Sequence, residues 1–150
     1  MTRNEDVMKA YLLRGWDAEK RVQAREAQLD VLHDRMKRVR SAAPRVTGDR
    51  RGAQVDWTDV VDTLVDAEAE YLQDIASLYQ VKAEIKRAIS GLMPEHYRAL
   101  LEYRYVDGLN WDNVAERLHY ERRYVLKLHE RALRALEEKL NGEGKVWERQ

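Results

Sequence analysis

Between Leu100 and Leu136 the chain reads LLEYRYVDGLNWDNVAERLHYERRYVLKLHERALRAL, and two breaks in that stretch constrain its course more than anything else in the sequence. The first is Asp107-Gly108, where glycine can take the positive φ that stops a helix. Asn110 then offers a side-chain oxygen to cap the next one. A short helix is expected from Trp111 to Leu118. The second break is His119-Tyr120, after which Val125, Leu128, Ala132 and Leu136 recur at helical spacing. The pattern predicts three helices joined by tight turns. Leu101, Tyr105, Val114, Ala115, Leu118, Val125, Leu128, Ala132 and Leu136 are its expected core.

The face opposite that core carries the functional reading. At about 100° per residue, Arg123, Lys127, Glu130 and Arg134 share one stripe, flanked by Arg122, Leu126 and Arg131. A helix packed on one side and cationic on the other is what major-groove reading requires: side chains near the N-terminus reach base edges and later ones hold phosphates. The same pattern also describes the solvated face of an ordinary helical core.

The run RYVDGLNWDNVAERLHYERRYVLKLHERAL resembles region 4 of the bacterial sigma-70 family. There a leucine-rich helix ends in Arg-Tyr, a glycine turn and an Ile/Val-Ala helix follow, and a last helix closes in Arg-Ala-Leu. Here those positions are Leu100, Leu101, Arg104, Tyr105, Gly108, Val114, Ala115, Leu118, Val125, Leu128, Arg131, Ala132 and Leu133. Trp111, Tyr120 and the Leu128-His129 pair are similar to those of small phage-encoded transcription regulators of the RinA/ArpU kind. The resemblance implies a helix-turn-helix domain behind a helical N-terminal half, binding double-stranded DNA. Two positions depart from it: Glu121 stands where a Ser or Thr usually caps the recognition helix, and Asn110 replaces the usual Thr or Ser at the preceding cap. Glutamate is the poorer cap and would repel a phosphate, so the start of the recognition helix is open to a shift of one residue.

In the 150 residues, 27 basic and 27 acidic side chains cancel, but they are not mixed. Arg35, Lys37, Arg38, Arg40, Arg45, Arg50 and Arg51 form a basic block with Asp49 alone opposed. Asp56, Asp59, Asp62, Asp66, Glu68, Glu70 and Asp74 form an acidic one. The absence of cysteine excludes disulfides, thiolate catalysis and thiolate metal sites. The N-terminus lacks a secretory apolar core and nothing approaches a membrane span of about 20 apolar residues, so a cytoplasmic location is expected. Glu116-x-x-His119 has di-iron spacing without the further carboxylates such a site needs, and phosphate-binding glycine loops and nucleophile elbows are absent. Neither metal nor cofactor nor enzymatic activity is expected.

Before Leu100 the chain is longer-ranged. From Asp6 to Arg40, Val7, Tyr11, Ala18, Val22, Leu29, Leu32, Met36 and Val39 predict one amphipathic helix of about 50 Å, or two if Gly15 divides it. A mobile loop is expected over 41–56, and a second helix from near Trp57 or Thr58 toward Gly91. Its seam is Val61, Leu64, Tyr71, Ile75, Leu78, Ile85, Ile89 and Leu92. Pro94 is expected at the first position of the next helix.

The expected fold is therefore all-α. Residues 1–93 would form a long antiparallel, coiled-coil-like hairpin, residues 94–140 a three-helix helix-turn-helix domain, and residues 141–150 a frayed tail. The hairpin's opposed charge blocks would face one another, and residues 7–92 would mediate homo-oligomerisation. The expected function is sequence-specific regulation of transcription, in a phage or prophage by resemblance. Two rivals stand beside it: an interaction protein docking on RNA polymerase through the region-4-like domain, and an accessory to phage DNA packaging.

Overall fold

The computed structural model describes residues 3–41 and 50–143. Among them the fold is all-α, with five α-helices and no strand: α1 (Arg3–Ser41), α2 (Arg50–Ile89), α3 (Glu95–Leu101), α4 (Trp111–Leu118) and α5 (Arg122–Gly142). A single π-helical turn, Glu102–Val106, extends α3. No helix among the described residues is long and apolar enough to cross a membrane.

Two compact units divide the chain, residues 19–78 and residues 1–18 with 79–150. The boundary expected at residue 93 is not where the packing places it, because the beginning of α1 and the end of α2 belong to the same core as α3 to α5.

In the unit of residues 19–78, α1 and α2 run side by side in opposite directions. Leu29 and Leu32 of α1 pack on Leu64 and Ala67 of α2, with Met36 and Tyr71 against them. This core is thin, and polar pairs flank it. Arg25 reaches Glu70 at 2.6 Å and Asp74 at 3.0 Å, the Tyr71 hydroxyl meets Glu26 at 3.0 Å, and His33 lies 3.6 Å from Glu68. Glu68, Glu70 and Asp74 belong to the acidic block, but Arg25 and His33, which meet them, lie ahead of the Arg35–Arg51 block expected to face it.

In the other unit, Met8 and Leu12 of α1 and Ile85, Ala88 and Ile89 of α2 enclose Leu100, Leu101, Tyr105, Val114, Val125, Leu128, Leu133, Leu136 and Leu140. The buried stripe at the start of α1 is thus centred on Met8 and Leu12, while Val7 and Tyr11 are half-buried. Gly15 does not divide the helix. A Cβ built there would lie 3.4 Å from Ile85 Cδ1 and 3.5 Å from the Tyr105 carbonyl oxygen. These are ordinary contact distances, so the packing there would accept a small side chain, and the glycine costs α1 only some propensity.

The ends of the elements follow local chemistry. Glu5 and Asp6 in the first turn of α1, and Arg38 and Arg40 in its last, complement the helix dipole. Helix α2 begins at Arg50 instead of near Trp57, because Arg, Ala and Gln before Trp57 propagate a helix well and Gly52 costs it only about 1 kcal/mol. Residues 42–49, the rest of the expected loop, and residues 144–150 of the expected tail lie outside the described residues. Gly91, at φ +80°, closes α2, and Lys139 of α5 donates to the Ala88 carbonyl there at 3.1 Å. Pro94 stands one place before its expected position, as the N-cap of α3. Helix α5 runs past Leu140 to Gly142.

A candidate nucleic-acid interface

Helix α5 has two faces of opposite character. Val125, Leu128, His129, Ala132, Leu133, Leu136 and Leu140 are buried against α3, α4 and the ends of α1 and α2. Arg122, Arg123, Leu126, Lys127, Glu130, Arg131 and Arg134 are exposed, so the structure brings every expected contact residue onto the outer surface of one helix. The expected inner residues are equally well placed. Leu101, Tyr105, Val114, Ala115, Val125, Leu128, Ala132 and Leu136 are buried, and Leu118 is half-buried.

The turns that aim α5 are formed as their residues require. Asn110 Oδ1 accepts from the Asn113 amide at 2.8 Å, capping α4. His119 then reverses the chain in the left-handed region, at φ +61°, and its side chain is exposed. With Leu109, Asn113, Glu116 and Arg117 it lines an open groove of about 480 Å³. No group of three potential metal ligands exists among the described residues.

A polar network the sequence reading did not single out anchors the inner face. The Arg104 guanidinium carbon lies 4.5 Å from the ring centres of both Trp16 and Trp111. Its Nη1 donates to the Leu109 carbonyl at 3.0 Å, and the Trp16 indole donates to the Arg104 carbonyl at 3.0 Å. Burial lowers the Arg104 pKa, and two aromatic faces offset part of that desolvation. Beneath it, Tyr105 Oη and His129 Nε2 share a 2.7 Å hydrogen bond, and Trp111 meets the imidazole edge-on at 4.6 Å. Burial pushes the Tyr105 hydroxyl up. It also pushes His129 down from 6.5 to about 4, the Lys9 and Arg104 charges adding to the effect and Glu5 opposing it. His129 is therefore a neutral core residue at pH 7. The π-helical turn holds Arg104 and Tyr105 together in this arrangement, with Asp107 N bonded to Glu102 O at 2.9 Å.

The first turn of α5 is electrostatically at odds with itself. It contains no acidic residue and begins with Arg122 and Arg123 at the positive end of the helix dipole. Glu121 is the N-cap, in extended conformation, and its side chain makes no capping hydrogen bond, so the helix begins at Arg122 without a shift. Arg122 lies 3.6 Å from Asp112, with both side chains largely exposed. A phosphate is the kind of group that would satisfy such a turn, since it accepts from free amides and pairs with guanidinium groups together.

Arg134 differs from its neighbours on the outer face. Its Nε donates to Glu5 Oε1 at 2.6 Å, and Glu5 is 1 % exposed. The contact raises the Arg134 pKa. A guanidinium fixed by a buried carboxylate is a structural strut joining α5 to α1, which weakens its expected role as a phosphate contact. Glu5 carries no sequence signal of this: its position suits a helix N-terminus, and only its burial reveals the pairing.

Residues 40–137 match the family described as "Protein of unknown function (DUF1492)". The chain belongs to this family. The matched span holds the whole candidate interface from Arg122 to Arg134, while Glu5, Gly15 and Trp16 lie outside it. No curated protein and no solved structure matches the chain.

Proposed function

We propose that this protein of the DUF1492 family binds double-stranded DNA through a sigma-region-4-like helix-turn-helix made of α4 and α5, and that it regulates transcription, in a phage or prophage, without catalytic activity. The carrying observation is the first half of α5. Its inner face is locked by Val125, Leu128 and His129, while Arg122, Arg123, Leu126 and Lys127 stand exposed, and its first turn carries two arginines, no acidic residue and no side-chain cap. A first turn with two arginines at the positive end of its dipole, offset in part by the exposed Asp112 carboxylate beside Arg122, is where an external anion is expected.

In this reading Arg123 and Lys127 face base edges, Arg122 and Arg131 hold phosphates, and Leu126 offers apolar contact to a thymine methyl group. Glu130 accepts from a cytosine amino group or excludes other bases. Arg134 belongs to the scaffold. The test is selection of bound duplexes from a random pool by the full chain. A defined motif supports the reading, and recovery of random sequence counts against it.

A second reading draws on Tyr120, Tyr124 and Leu126, which are 41 %, 42 % and 39 % exposed, the two tyrosine rings meeting edge-on at 5.1 Å. Aromatic and apolar groups beside arginines also suit a protein contact, such as docking on RNA polymerase. Co-sedimentation with polymerase in the absence of DNA, lost in Tyr124→Ala, would favour it.

A further inference from the structure

Helix α2 carries two apolar seams, and only one has a partner among the described residues. The inner seam, including Leu64, Ala67, Leu78 and Ile85, is buried. The second comprises Val65, Ala69, Leu72, Ala76, Tyr79 and Ala83, all of them exposed. Its steps alternate four and three, the spacing of a heptad seam. Its large members are 56 %, 66 % and 68 % exposed for Val65, Leu72 and Tyr79. Such a stripe on a helix this polar is not the scatter of single apolar residues that surfaces normally show.

The order of sizes along the seam identifies what covers it. Large and small residues alternate strictly, with an alanine after each large side chain. Reversed and laid against itself about a two-fold axis between Leu72 and Ala76, the seam pairs Val65 with Ala83, Ala69 with Tyr79, and Leu72 with Ala76. Every large side chain meets an alanine, so two backbones can approach closely while the layers fill. In a parallel, in-register pairing the alanines would face alanines and leave gaps. The flanks agree with the antiparallel register. Glu68 falls opposite Lys82 on one side of the seam, and Asp66 opposite Gln80 on the other, which places unlike groups together across the axis. Glu68 also faces His33 of its own chain, at the seam's edge.

We propose that a second copy of this chain covers this face, α2 against α2 in antiparallel register, as an isologous dimer. The pairing extends the proposed function without resting on DNA recognition, because a two-fold protein suits a palindromic site yet assembles without one.

The test uses the full chain without DNA. Sedimentation velocity at micromolar concentration should give twice the 17.7-kDa monomer mass. Leu72→Glu, which alters a side chain exposed in the single chain, should weaken association by a factor of at least about ten while the helical circular dichroism is kept, since the change buries two like charges near the axis. The chain has no cysteine, so introduced thiols report register directly. Val65→Cys and Ala83→Cys proteins should form a disulfide when mixed and oxidised, and neither should link to itself. A monomer, a dimer indifferent to Leu72→Glu, or self-linking of both cysteine variants would overturn the proposal. Any of these results would leave the duplex selection free to succeed or fail separately.

Discussion

Replacing the buried Tyr105–His129 pair by two phenylalanines tests the packing that holds α5 in place, and its signature lies in pH dependence more than in absolute stability. In the folded chain His129 takes up its proton only near pH 4; in the unfolded chain it does so near 6.5. The unfolded state therefore binds more protons throughout that window, and stability falls as pH drops from 6.5 toward 4 while staying level above it. A difference of this size amounts to about 3 kcal/mol in all, of which about 2 kcal/mol is lost between pH 7 and pH 5. Over that interval ordinary carboxylates stay mostly ionised, so they add little to the slope. The variant Tyr105→Phe/His129→Phe removes both polar groups, and because a phenyl ring is larger than the imidazole it should cost about 1 to 3 kcal/mol at pH 7. Urea unfolding at several pH values would measure this. The parent midpoint should fall between pH 7 and pH 5, and the variant midpoint should not. Parallel slopes would refute the placement of His129 as a neutral, desolvated core residue.

Other expectations follow from single contacts. Gly15→Ala should be neutral or stabilising by up to about 1 kcal/mol, because the added Cβ meets only ordinary contacts, whereas Gly15→Val should cost about 1 to 3 kcal/mol by forcing α1 from Ile85 and Tyr105; thermal melts decide both. Asn110→Ala should cost about 1 kcal/mol by removing the cap of α4. Arg134→Ala should lower the melting temperature by taking away the guanidinium that faces buried Glu5, and should leave DNA affinity much less changed than Arg123→Ala does at a temperature where both are folded.

How legible each part was depended on the range of the interaction that fixes it. The limits of α4 were readable because Gly108, Asn110 and the His119-Tyr120 turn act over one or two residues. The buried face of α5 was readable because Val125, Leu128, Ala132 and Leu136 keep helical period. The network around Arg104 was not, since Trp16 and Trp111 come from opposite ends of the sequence, and neither announces that it stacks on a cation. Gly15 reads locally as a breaker, and only the nearness of Ile85 and Tyr105 shows it to be a contact. Arg134 has the period of a surface cation, and nothing nearer than Glu5 distinguishes it from Arg131. The inner seam of α2 was visible as a stripe. The alternation of Val65, Leu72 and Tyr79 with alanines on the other side was hidden, because alanine is compatible with either face until burial separates them.

The proposed function stands or falls most directly on Arg123 in the exposed first turn of α5. Affinities of the parent and of Arg123→Ala would be measured by fluorescence anisotropy on the selected duplex and on a scrambled duplex of equal length, at one fixed salt concentration. Direct base reading predicts a loss of about 1 to 3 kcal/mol on the selected duplex and a much smaller loss on the scrambled one, so that the ratio of the two affinities collapses. An equal loss on both duplexes, or none on either, would contradict base reading by this helix.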